Sequence, residues 1–188
     1  MATYAVGGVE KIELAPAVFT EAGVAGITWV QAENVAPDTV VYTKNSDTET
    51  DLVPEDKDVA FVTFYTPGEA DTIVFGLLQH HPTIMAMLFN QEYVAATSKT
   101  TMLAKRKVAN LAVRITTRSM KDGRKQIIIL PNVNFTTTIV NNLSKTALQQ
   151  LLLTGKVGSF KTTTSNLDAI SIKTWVTDAG SVIDSTTP

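Results

Sequence analysis

The chain contains no cysteine, so disulfide staples, a thiolate nucleophile and cysteine-ligated zinc are all excluded. Histidine is nearly absent too. The only two, His80 and His81, are neighbours that point apart, and they cannot form the i, i+4 pair that grips a metal from one helix face. The sequence lacks the Gly-x-Ser-x-Gly elbow of serine hydrolases and the two glycine-rich phosphate cradles of nucleotide-binding proteins. No apolar run approaches the ~20 residues a membrane helix needs. Residues 1–8 carry neither a basic nor a long apolar segment, so a secretory leader is not expected, and the chain reads as a soluble product of a cytoplasm. Charge is sparse as well, at 18% of residues, which suits a surface partly hidden against neighbours. With no motif for catalysis, no cofactor is expected and the chain reads as a non-enzyme.

The charge that is present is sorted. Residues 1–72 hold 13 acidic and 3 basic side chains, a net of −10, whereas residues 73–188 hold 5 and 13, a net of +8. If these halves fold to opposite ends of one domain, copies attract head to tail, and such contacts close into rings or run on as filaments. A fold that interleaves the halves would cancel the effect. The 188 residues suffice for one domain with a real core.

Threonine, valine and isoleucine are abundant, with threonine runs at 136–138 and 162–164, and β-branched side chains favour pleated surfaces over helices. Strands are expected at 10–14, 26–32, 39–44, 59–65, 111–118, 125–130, 134–140 and 171–177. Residues 114–130 read as a hairpin, since Asp122-Gly123 supplies the φ > 0 positions of a tight turn. One helix is expected over 69–79. Thr66-Pro67-Gly68-Glu69 looks like a capped start, and Ala70, Ile73, Val74, Leu77 and Leu78 form an apolar stripe. His80 and His81 would then sit near its last carbonyls. A short helical stretch is expected at 83–89. Residues 146–153 fit a helix stopped by Gly155 or, equally, a buried strand.

Two segments read as non-core. Residues 45–57 form an acidic loop with Asp47, Glu49, Asp51, Glu55 and Asp56, and residues 178–188 form a flexible C-terminal arm. The alternating carboxylates suggest a calcium loop, but Leu52 stands where its sharp turn needs glycine and Asp58 where a long bidentate glutamate is required. Opposite in sign is the basic segment 99–125, which includes Lys105, Arg106, Lys107, Lys121, Arg124 and Lys125. It can grip phosphates or an acidic partner, yet it lacks the interleaved aromatics on which single-strand binders stack bases. The acidic segment earlier in the chain makes another copy the better partner.

Several stretches together resemble bacteriophage major tail tube proteins, a family related to the inner tubes of type VI secretion systems. They are the strand Gly8-Val9-Glu10-Lys11-Ile12-Glu13-Leu14, the tryptophan-bearing Gly26-Ile27-Thr28-Trp29-Val30, the acidic loop before 59–65, the capped helix 69–79 and the hairpin strand Lys125-Gln126-Ile127-Ile128-Ile129-Leu130-Pro131. The similarity is one of pattern and spans roughly residues 8–160. It implies a mainly β domain over 1–188, a β-sandwich or small β-barrel with one flanking α-helix. It further implies a homohexameric ring, stacked into a virion tail tube, through which viral DNA passes without specific binding. Other tail proteins would be partners, no membrane would be involved, and the loop 45–57 would bridge neighbouring rings. Two alternatives stay open: another virion β-protein (decoration, connector or tail terminator), or a β-barrel module that binds polyanions through 99–125.

Overall fold

The run Ala109–Thr117 shows why this chain becomes sheet: Leu111, Val113 and Ile115 point to one face, and all three are buried. The computed structural model describes residues 8–56, 58–59, 61–89, 91–105, 108–120, 123–140 and 148–182. Along these the strands are β1 (Val9–Pro16), β2 (Val30–Ala32), β3 (Val41–Thr43), β4 (Thr48–Leu52), β5 (Val62–Thr66), β6 (Thr72–Leu77) and β7 (Gln91–Val94). They continue as β8 (Lys99–Met102), β9 (Ala109–Thr117), β10 (Arg124–Val140), β11 (Gln150–Val157), β12 (Phe160–Lys161), β13 (Asp168–Ala169) and β14 (Ile172–Thr177). Two short helices, α1 (Glu21–Val24) and α2 (Pro82–Leu88), interrupt them. The fold is mainly β and antiparallel, with α2 flanking the sheet.

The principal sheet runs β2-β1-β9-β10-β11-β6-β3, with β14 also paired to β10. It closes on itself. Just beyond β2, Val35 bridges Leu77 of β6, with Ala36 N–H donating to the Gly76 carbonyl at 2.8 Å and Leu78 N–H to that of Asn34 at 2.9 Å. Closure removes most of the exposed edge that an open sheet leaves for aggregation. Inside lie Ile12, Leu14, Ile73, Phe75, Leu77, Val113, Leu130, Val133, Leu151 and Leu153, all fully buried, and α2 adds Ile84 and Leu88. Phe75 and Phe135 meet edge to face at 5.8 Å.

Strand β10 serves two layers. Its first half pairs with β9 and β14, and its second half with β9 and β11. The register shifts between Leu130 and Val133, where Pro131 has no N–H to give the ladder and a bulge bends the strand. The sequence splits this element into 125–130 and 134–140; the bulge lets one strand run through both.

The helix expected at 69–79 is instead β6. The 3.6-residue stripe leaves out Phe75, whereas Ile73, Phe75 and Leu77 at period two are all fully buried. Pairing with β11 on one side and β3 on the other settles this apolar run as strand. The segment that includes Leu151 and Leu153 is strand as well, and Gly155 is no helix stop. It faces Phe135 across the ladder, where an added Cβ would lie 2.4 Å from Val133 Cγ1 and 2.7 Å from Phe135 Cε1. Gly155→Ala is therefore expected to overpack the barrel and cost about 1–3 kcal/mol, read as a lowered urea midpoint.

Only Val30–Ala32 of the strand expected at 26–32 is extended. The residues before it follow α1, whose cap Thr20 accepts from Gly23 N–H. The helical stretch near 83–89 exists as α2. His81 does not close a preceding helix but opens this one, with Nδ1 accepting from Thr83 N–H at 3.3 Å and Pro82 in the first turn. At the other end of the chain, residues 178–182 turn back on β14, with Thr177 N–H donating to the Ser181 carbonyl. The rest of the C-terminal arm lies outside the described residues.

Candidate functional site

Part of the acidic segment 45–57 is strand rather than loop. Thr48–Leu52 and Val62–Thr66 pair as a two-stranded hairpin, the β4–β5 arm, which continues the β3–β6 pair beyond the barrel wall. Its root is pinned tightly. Asp71 is nearly buried and accepts from Tyr42 Oη at 2.8 Å and from Asn45 N–H at 2.9 Å, while Asn45 Nδ2 donates to the Ala70 carbonyl. Burial and the Asp71 carboxylate push the Tyr42 hydroxyl up to about 12. Tyr42 thus keeps its proton and donates across the neutral range, and this support fades only as pH climbs from 10 toward that value. Asp47 accepts from Gly68 N–H at 3.0 Å, and Gly68 is needed because a Cβ there would sit 2.3 Å from the Ser46 carbonyl oxygen.

Beyond the root the arm meets solvent on both faces, and those faces differ. Register places Thr50 opposite Phe64 and Leu52 opposite Val62 on one side, and Glu49 opposite Tyr65 and Asp51 opposite Thr63 on the other. Asp51 accepts from Thr63 Oγ1 at 2.6 Å, and Glu55 and Asp56 sit exposed near the tip. Leu52 and Phe64 on the first face are 53% and 56% exposed and Tyr65 on the second is 66% exposed, so the arm holds apolar side chains in water on both faces. Covering what remains open of Leu52 and Phe64 is worth about 1 kcal/mol apiece.

A second hairpin, β7–β8, follows α2 and is tied to it at its start, where Gln91 Nε2 donates to the Pro82 carbonyl at 3.4 Å. Val94, Met102 and Leu103 are exposed on it, and Lys105 is exposed just after it. Arg106, Lys107 and Lys121 lie outside the described residues. In sequence, the segments around the two hairpins differ in sign. Residues 47–66 carry six carboxylates and one lysine, a net of −5, and residues 90–108 carry four cations and one carboxylate, a net of +3.

The remaining basic residues do not form one patch. Lys125 Nζ bonds Glu10 at 2.8 Å, and this hydrogen bond raises its pKa. Arg124 opens β10 opposite Thr177. Arg114, on β9, forks onto Glu13 of β1 through Nε at 2.6 Å and Nη2 at 2.7 Å, and the Trp29 ring stacks 4.7 Å from its guanidinium carbon. Burial pushes the Glu13 carboxyl up, and Arg114 together with Lys11 outweighs that, holding it below its usual value. The acidic and basic halves are thus interleaved through β1 and β9 rather than segregated. What survives of the charge sorting is the contrast between the two hairpins. Sequence periodicity alone missed the Glu13–Arg114–Trp29 cluster, because its members share a face only through strand pairing across 101 residues.

A third open surface is the outer face of the wall made by β3, β6, β11 and the second half of β10. In register across it run Thr43, Thr72, Lys156 and Asn134, then Val41, Val74, Thr154 and Thr136, a hydroxyl-rich face whose one charge in these rows is Lys156. A polar cleft of about 910 Å³ lies between the start of β1 and residues 31–40, and no histidine, serine, threonine or tyrosine lines it. Among the described residues, no group of three or more His, Asp or Glu side chains is arranged to hold a metal. Nor is any described helix long and apolar enough to cross a membrane.

No family model matches the chain, and no curated protein is significantly similar to it.

Proposed function

We propose that this protein is a structural subunit that assembles with copies of itself, as a virion tail tube protein does. The carrying observation is the pair of hairpins that stand off the barrel with apolar side chains in water. An isolated two-stranded hairpin is marginally stable at best, and exposed apolar ribbons mark contact surfaces. Because the segments 47–66 and 90–108 are of opposite sign in sequence, the fitting partner for one is the other on another copy. Contact between two different surfaces is heterologous, so it repeats into a ring or a filament.

In the tail tube reading, rings of six such subunits stack into a hollow virion tube that conducts DNA during ejection, and other tail proteins seat on its ends. The hydroxyl-rich wall face suits a wet channel across which a polyanion slides without specific binding. The reading assigns no catalytic residue and no cofactor. Against the polyanion-binding alternative, Arg114 and Lys125 spend their charge on Glu13 and Glu10 within the fold, which removes two cations from the segment it relies on.

Negative-stain electron microscopy of the purified protein at micromolar concentration is the direct test. Rings or hollow tubes are expected; monomers at every concentration and salt level would overturn the proposal. Reversal of Lys105, Arg106 and Lys107 to glutamate is expected to raise the concentration for half-assembly at least tenfold, about 1.4 kcal/mol. Unchanged assembly by light scattering would remove the electrostatic contact.

A further inference from the structure

We infer that Asp71 is the lock of a hinge: it holds the β4–β5 arm at one angle to the barrel, and without it the arm swings. The inference concerns a single copy and stands apart from self-assembly.

The arm continues the β3–β6 pair, but the ladder does not run through. The last pair on the barrel side is Thr43 with Thr72, and the first on the arm side is Thr48 with Thr66. Between them lie residues 44–47 on one limb and 67–71 on the other, four against five, so the two ladders are out of step by one residue. Among the described residues no backbone hydrogen bond crosses this joint, and Pro67 has no N–H to offer one. Apart from each other, β4 and β5 make at most glancing contact with any other strand or helix. Links without a ladder keep their backbone freedom unless side chains remove it.

Side chains do so here, and they are unequal. Asn45 Nδ2 donates to the Ala70 carbonyl and Asp47 accepts from Gly68 N–H, both in the open, where water competes for the same groups. Asp71 is only 8% exposed, and its carboxylate accepts from Tyr42 Oη on β3 and from Asn45 N–H on the outgoing limb. Hydrogen bonds to an ionised acceptor are the stronger kind. The Asp71 carbonyl meanwhile accepts from Val157 N–H of β11 at 2.8 Å, which seats this residue in the barrel wall. One residue therefore joins β3, β11 and the outgoing limb, and it passes the orientation of the barrel to the arm. An arm already held at one angle loses less freedom on meeting a partner.

The absence of native cysteine allows the angle to be read with two spin labels, on Glu55→Cys near the arm tip and Lys156→Cys on the wall, both exposed positions. Labelled chains are diluted into excess unlabelled chain, so that only distances within one subunit count. One narrow distance is expected with the native joint. Adding Asp71→Ala is expected to spread it into a broad distribution. Exchange of the Asn45 N–H should become about ten- to a hundredfold faster, the effect of losing a hydrogen bond to a charged group. Asp47→Ala, which removes one of the open bonds, is expected to leave the distance narrow. Should Asp71→Ala lower the urea midpoint of the barrel, Tyr42→Phe takes its place, since it keeps the ring and removes only the hydroxyl. A broader distance at an unchanged midpoint is then expected. A distance already broad with the native joint would overturn the inference. So would one that stays narrow in both Asp71→Ala and Tyr42→Phe, because strand geometry alone would then hold the arm. Equal broadening in Asp47→Ala would overturn it too, by giving the lock to the whole joint rather than to Asp71.

Discussion

Replacing Arg114 with alanine is expected to lower stability by about 3 kcal/mol and the melting temperature by roughly 6–12 °C. Glu13 is only 7% exposed, and both of its oxygens are held by the guanidinium. Removing one member of such a pair leaves a charge stranded away from water, which costs far more than losing a surface ion pair. Lys11 remains 3.4 Å away, which sets the estimate at the lower end of the usual range. Arg114→Lys should recover only part of the loss, since an ammonium cannot fork onto two oxygens or stack on Trp29 in the same way.

The pH dependence identifies the cause. In the native chain Glu13 titrates below 4.5, so its contribution is present above that value and is lost as pH falls through the lower folded value. In Arg114→Ala, burial acts without its main counterweight and Glu13 takes up a proton more readily. The deficit relative to the native chain should therefore be largest near neutrality and should shrink below pH 4.5. Urea unfolding at pH 7 and pH 4 measures both. Equal deficits at the two pH values would mean that Arg114 acts through packing on Trp29 alone.

Deleting residues 46–69 and joining Asn45 to Ala70 through a short glycine-containing turn is expected to abolish assembly while leaving the barrel folded. Among the described residues no side chain of the arm belongs to the core, and β3 and β6 are already antiparallel neighbours that a tight turn can join. The anchors Tyr42 and Asp71 remain and still bond each other. The loss should thus appear in light scattering, where assembly vanishes at concentrations that polymerise the native chain, with the far-ultraviolet circular dichroism unchanged. A truncated chain that assembles normally would detach the arm from assembly. One that unfolds would show that the arm root contributes more to the barrel than its hydrogen bonds indicate.

Much of the sheet is legible in the sequence because its strands alternate. Leu111, Val113 and Ile115 declare their face without help, and Asp122-Gly123 announces the turn, with Gly123 at φ +70°. The segment around Phe75 is different. Its apolar residues satisfy two periods, and Thr66-Pro67-Gly68-Glu69 imitates a helix start that is spent instead on the return limb of the arm. Only β11 and β3, far away in sequence, decide between the readings. The same holds at the arm. A run of acidic residues and threonines looks solvated, and its strand character emerges only when Leu52 is set opposite Val62 and Thr50 opposite Phe64. Carboxylates and lysines can be counted from the sequence, but pairing decides which of them are already satisfied, as Glu10–Lys125 shows.

The closed barrel also fixes an order of events during synthesis. Strand β1 leaves the ribosome first, yet its neighbour β9 follows about a hundred residues later, roughly 5–20 s at ordinary elongation rates. The β4–β5 and β7–β8 hairpins, by contrast, have their partner strands close at hand, yet a two-stranded hairpin alone is marginal in water, so neither is settled until the barrel forms beneath it. Chains on one polysome then stand side by side with unfinished cores, a state prone to premature clustering. The −5 charge of each arm works against this, because neighbouring nascent chains expose acidic arms to one another well before the basic hairpin has emerged. The sign of the arm thus acts as repulsion between chains still being made and, in the self-assembly proposed above, as attraction between finished ones.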